Sequence, residues 1–104
     1  MQIVKYPSAI FVISQITGIP FKTLIEKTNK KPQAMYRQVL IWFLHYEGVT
    51  HQGIHEMTGR NRSTVIYSVR LIDDLIDVKD KETINLIDKI NEIKNEWNDN
   101  SDRF

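Results

Sequence analysis

No cysteine occurs in the 104 residues. Disulfides and thiolate-bound metals are therefore excluded, and the composition suits a reducing, cytoplasmic setting. No apolar run approaches the roughly 18 residues of a membrane span. The longest, VLIWFL from Val39 to Leu44, has the length of a core segment. Proline occurs three times and glycine four, too sparsely for a linker or a low-complexity segment. They act as punctuation instead. Pro7, Pro20 and Pro32 stand where helical patterns open, and Gly18, Gly48 and Gly59 where they close. Near the N-terminus, Ser14, Gln15 and Thr17 interrupt the apolar stretch and no signal-peptide cleavage pattern follows, so the stretch reads as structure. Alternation of period two is missing throughout, which argues against strands. A hydrophobic content of 41% with 26% charged residues is that of a folded domain. The expectation is one all-α domain over residues 1–104: a body from 8 to 77, an acidic helix from 80 to 97 and a frayed tail from 98 to 104.

Acids are also scarce in one part of the chain. Residues 1–70 hold nine lysines and arginines against three acids, and residues 71–104 hold five against ten. The net charge of +1 hides a basic body and an acidic tail. A basic body of this kind points to a polyanionic partner, although any surface needs charge for solubility.

Six helical patterns follow one another. The first covers about Ser8 to Thr17, with Ile10, Ile13 and Ile16 inward. A short second helix after Pro20 turns Phe21, Leu24 and Ile25 inward. EKTNKKPQ makes a polar, basic loop. The third helix, from near Pro32 to His45 or Tyr46, is apolar nearly all round after Gln38 and reads as the central buried helix. Thr50 suits the N-cap of a short fourth helix, His51 to Thr58, anchored by Ile54 and Met57. The fifth, Arg62 to Asp77, carries a seam of Val65, Val69, Ile72 and Ile76. The sixth, Lys81 to Trp97, presents Ile84, Ile87, Ile90, Ile93 or Lys94, and Trp97 on one face.

The fourth and fifth helices, joined by a glycine-bearing turn, have the layout of a helix-turn-helix. In that motif the leading residues of the second helix enter the major groove of DNA. Two arginines, Arg60 and Arg62, crowd this helix start, where the macrodipole disfavours cations by a few tenths to about 1 kcal/mol each. A phosphate or a guanine edge reverses that sign, because a guanidinium fork binds either in bidentate fashion. Asn61, Ser63 and Thr64 supply short hydrogen-bonding side chains beside them. Asn61 has two roles open to it: reading adenine, or capping the fifth helix.

RQVLIWFLHYEGVTHQGIHEMTGRNRSTVIYSVRLIDDLI resembles the signature of the C-terminal DNA-binding domain of DnaA, the bacterial replication initiator, a helix-turn-helix fold of Trp-repressor-like type. Arg37-Gln38, Ile54, Gly59-Arg60, Ser63-Thr64-Val65 and Ile72 occupy the family's places. VISQITGIPFKTLIEKTNKK before them is similar to the family's leading helices and basic loop. The similarity spans about residues 9 to 97, and its specific part runs from Arg37 to Ile72. It implies that Arg37 enters the minor groove, that Asn61, Arg62 and Ser63 read bases, that Arg60 contacts phosphate, and that Lys30 and Lys31 follow the backbone. Departures are visible. Asn61 and Arg62 stand where the family has Asp and His, the turn has one glycine fewer than the common form, and the loop is less basic. No Gly-x4-Gly-Lys-Ser/Thr phosphate loop occurs in the sequence, so neither ATPase activity nor a cofactor is expected.

The resulting expectation is a non-enzymatic, sequence-preferring domain for double-stranded DNA, acting in replication or transcription control. Lys30, Lys31, Arg37, Thr50, His51, Arg60, Asn61, Arg62, Ser63 and Thr64 form its binding set, and no membrane is involved. The alternative is a protein-interaction module whose sixth helix docks a partner or a second copy. Whether that helix buries its apolar face inside the monomer separates the two. His51 and His55 have the i, i+4 spacing of a zinc pair. Gln52 stands where a metalloprotease needs its glutamate base, and no third ligand is evident, so they read as surface residues near the DNA backbone. Trp42 and Phe43 read as core rather than as a base-stacking platform. Tyr67 reads equally as a backbone contact or as packing against the first or third helix. Asp73, Asp74, Asp77 and Asp80 read as a solvated face.

Overall fold

The structure, a computed structural model, describes residues 6–26 and 30–101, with side chains described for 10–26 and 30–95. Among the described residues six helices follow in order: α1 (Tyr6–Thr17), α2 (Phe21–Leu24), α3 (Gln33–Tyr46), α4 (His51–Thr58), α5 (Arg62–Asp77) and α6 (Lys81–Ser101). No strand occurs among the described residues.

The third helix is the centre, as its apolar girth leads one to expect. It packs against α1, α2, α4, α5 and α6. Val39, Leu40, Ile41, Phe43 and Leu44 are buried on it, all but Phe43 completely. Val12 and Ile13 of α1, Leu24 of α2, Ile54 of α4 and the α5 seam of Val65, Val69 and Ile72 close on it. Phe43 is a core residue and Trp42 packs against the core, their ring centroids 5.0 Å apart and edge to face. Trp42 is half-buried, and its indole Nε1 donates to Asp73 Oδ1 at 2.9 Å. Tyr46 OH donates to the other oxygen of Asp73, also at 2.9 Å. Asp73 thus differs from the solvated residue the sequence suggests: it fastens α5 to α3. Asp80 differs too. Its Oδ2 accepts from the backbone N–H and the hydroxyl of Thr83, at 3.1 and 2.7 Å, which caps the start of α6. Asp74 and Asp77 are exposed as expected.

The last helix runs four residues past Trp97, to Ser101, where a frayed tail is expected from Asn98. No glycine or proline interrupts it there. Residues 102–104 and the Trp97 side chain lie outside what is described. The inward face of α6 is Thr83, Leu86, Ile87 and Ile90, with Ile93 and Lys94 half-buried. Ile84 is only half-buried, one position round from the stripe. This face packs against α1, α3 and α5, so Ile87 and Ile90 of the expected stripe are covered within the monomer. Lys94 pairs with Glu47 Oε2, and its Nζ lies 5.0 Å from the Phe43 ring centroid.

Candidate nucleic-acid interface

The turn between α4 and α5 is built by three local devices. Thr50 Oγ1 accepts from Gly53 N–H at 3.0 Å and starts α4. Gly59 ends it in the left-handed region at φ 73°, its N–H donating to His55 C=O at 2.7 Å. Asn61, extended at φ −74° and ψ 170°, then starts α5 by accepting Thr64 N–H on Oδ1 at 2.9 Å. Of the two roles open to Asn61, the structure gives it the cap. The side-chain NH2 is not used by the cap, and the residue is exposed.

Arg62 and Ser63 are exposed, and Thr64 is half-buried. Arg62 has no ion-pair partner among the described residues, and the first turn of α5 holds no acid. The unfavourable placement inferred from sequence is therefore real for Arg62. His51, Gln52, His55, Asn61 and Arg62 line an open groove of roughly 350 Å³ between the starts of α4 and α5. The His51 ring stacks on His45, with centroids 5.8 Å apart. His55 Nδ1 stands 2.9 Å from the backbone carbonyl of Arg60, which fixes one ring nitrogen.

Tyr67, open to two readings in the sequence, and Arg70, outside the expected binding set, lie on the outward face of α5 that Ser63 begins. Tyr67 is 60% exposed, and Arg70 is exposed. Ser63, Tyr67 and Arg70 follow at i, i+4 and i+7, one outward face of α5. The spacing from Ser63 was the available signal. Beyond Arg70, at i+11 and i+14, the face continues as Asp74 and Asp77 and its charge inverts. From Arg62 to Arg70 the helix rises about 12 Å, close to the roughly 12 Å width of a major groove.

Arg37 and Arg60 are not on this surface. Both are buried, at 9% and 8% exposure. Arg37 Nη1 donates to Glu26 C=O at 3.0 Å, and Arg60 Nη2 to Ile25 C=O at 2.5 Å. The sequence reading put Arg37 in the minor groove and Arg60 on a phosphate; the structure turns both guanidiniums inward. The last carbonyls of a helix have no partner within it; that of Ile25, the C-cap of α2, takes Arg60, and that of Glu26, the next residue, takes Arg37. Burial holds both guanidiniums below the usual arginine pKa, and for Arg37 the neighbouring Arg60 charge adds to this.

Lys30 and Lys31 are exposed but do not line the groove at the start of α5. Lys31 instead shares a groove of roughly 410 Å³ with Met35, Arg37, Leu75, Asp80 and Glu82. The Asp80 carboxyl lies below the usual carboxylate range because of the Thr83 hydroxyl and backbone bonds, with the Lys31 charge a smaller cause. Among the described residues no three His, Asp or Glu side chains are placed to hold a metal ion. No described helix is long and apolar enough to cross a membrane.

Comparison of the chain with protein-family models, with curated proteins and with solved structures finds no match.

Proposed function

We propose that this chain is a double-stranded DNA-binding domain of helix-turn-helix type, kin to the C-terminal domain of DnaA, with α5 as the reading helix. One observation carries the reading. The Arg62 guanidinium, without an ion-pair partner among the described residues, stands in solvent at the leading end of a 16-residue helix, at a place where the helix itself disfavours a cation. A duplex supplies the missing anion. Arg62 and Ser63 lead into the major groove, with the Asn61 NH2, which the cap does not use, beside them. Tyr67 and Arg70 extend the contact along the same face, and His51 and Gln52 border it on α4. Lys30 and Lys31 supply charge to the duplex backbone away from this groove. The domain acts without catalysis, in the control of replication or transcription.

The test is selection of bound duplexes from a random pool at moderate salt, followed by titration of the enriched sequence across a salt series. An enriched motif and an affinity that falls steeply with salt are expected. No duplex binding even in dilute buffer would reject the proposal.

A further inference from the structure

Arg60 is held at three points. Its N–H donates to Thr58 Oγ1 at 3.3 Å, its carbonyl lies 2.9 Å from His55 Nδ1, and its Nη2 donates to Ile25 C=O at 2.5 Å. The partner at the third point is unusual. Ile25 is the C-cap of α2, a helix of four residues. So short a helix does not hold itself, because one turn costs more backbone order than its few hydrogen bonds return. Its end is instead clasped from outside. Arg60 reaches Ile25 C=O, Arg37 reaches Glu26 C=O at 3.0 Å, and Gln33 Nε2 reaches Thr23 C=O at 2.6 Å. Two of these donors come from α3 and one from the turn that launches α5. The clasp therefore joins α2, α3 and the helix-turn-helix at one place.

We infer that Arg60 is a positioning residue and not a phosphate contact. By anchoring the α4–α5 turn to the end of α2, it fixes the direction in which Asn61, Arg62 and Ser63 leave that turn. The anchor follows from the bonds alone; what it positions rests on the DNA-binding reading above. Two arginines two residues apart thus divide the work. Arg60 spends its guanidinium on the protein, and Arg62 keeps its own for the partner. The third of these bonds also bears on why a cation is tolerated there. Its guanidinium is turned inward onto the Ile25 carbonyl oxygen instead of standing in solvent at the start of α5.

Two measurements test this on the full chain as wild type, Arg60→Gln and Arg60→Lys. The first is amide hydrogen exchange without DNA. In Arg60→Gln the amides of Ile25, Glu26 and Thr64 are expected to exchange about ten-fold faster or more, while those of Val69 and Ile72 stay protected. Arg60→Lys, which keeps a charge and a donor, restores part of the protection. Unchanged exchange at Ile25 and Glu26 overturns the anchor. The second is binding to the selected duplex and to a scrambled one over a salt series. A positioning residue lowers the preference between the two and leaves the salt slope as it was. A phosphate contact instead lowers the slope by about 0.9 and keeps the preference, and that result overturns the inference. Should Arg60→Gln lose the helical fold, Arg60→Lys carries both readings. A wild type that binds no duplex removes the DNA reading and leaves the exchange measurement to decide the anchor by itself.

Discussion

Arg62 presents its guanidinium to water at the positive end of α5, with no acid in that turn. In the free protein, Arg62→Ala is expected to leave stability unchanged or to raise it by a few tenths of a kcal/mol, since an unfavourable charge–dipole contact goes. On duplex DNA the same substitution is expected to cost about 1–3 kcal/mol and to relax the preference at one or two base pairs. Thermal unfolding and titration of single-base variants of the selected site check the two halves; an equal loss on every sequence would contradict base reading. Asp80 gives a pH-dependent counterpart. Its carboxyl is held below its ordinary value, chiefly by the Thr83 hydroxyl bond. A carboxyl with a depressed folded-state pKa stabilises the fold above the unfolded value, about 3.9, and loses that contribution as pH falls through the folded value. Asp80→Ala should therefore lower the urea midpoint at neutral pH, with the deficit shrinking below the usual carboxylate range. A deficit that stays constant to the lowest pH at which the protein folds would show that Asp80 acts by some means other than its charge.

At the scale of the element, the contact between α3 and α5 is the one that holds α5 in place. Its apolar part is Val65, Val69 and Ile72 against α3, and its polar part is Asp73 receiving Trp42 and Tyr46. Asp73→Ala leaves the half-buried indole N–H without its acceptor, and a loss of about 1–3 kcal/mol is expected in chemical denaturation. Tyr46→Phe, at a 57% exposed residue, should lose less. Gly53 on α4 tests packing against propensity. Alanine there gains up to about 1 kcal/mol of helix propensity. Its Cβ, however, would stand 2.9 Å from Val49 Cγ1 and 3.3 Å from the capping Thr50 oxygen. Val49 is buried and β-branched, with little freedom to yield, so Gly53→Ala is expected to give a net loss of about 1 kcal/mol. A rise in melting temperature would show that the Val49 side chain moves aside at little cost.

What the sequence made legible at this scale was local. Thr50, Gly59 and Asn61 act within three or four residues of themselves, and the α5 seam repeats with the helix, so caps, turn and inward face could be read directly. The directions of Arg37 and Arg60 could not. Their acceptors are backbone carbonyls 11 and 35 residues away, and carbonyls carry no mark in a sequence. The role of Asp73 is hidden by distance too, its donors lying 31 and 27 residues back. On α6 the isoleucines suggested a stripe through Ile84. The face chosen by packing on α1 and α3 runs through Thr83 and Leu86 instead, because Asp80 satisfies the Thr83 hydroxyl and makes its burial inexpensive.

Over the whole molecule, charge and packing are organised around opposite ends of the chain. The basic surplus lies before residue 71 and the acidic surplus after it, and the sign change falls within α5, between Arg70 and Asp74. The core depends on both ends. The first helix, α1, lies against α3 and α6, and Lys94 is tied to Glu47 at the end of α3. This closure has a consequence in time. A ribosome releases the chain from its beginning, and α1 meets α6 only after more than sixty further residues are made, on the order of several seconds at ordinary elongation rates. Until then Val12 and Ile13 lack part of their cover. A nascent chain arrested with residue 80 just emerged should be cut readily near α1 by a protease, and one arrested with residue 101 emerged should resist. Equal resistance in both would mean that the first five helices already close around α3 before the last one arrives.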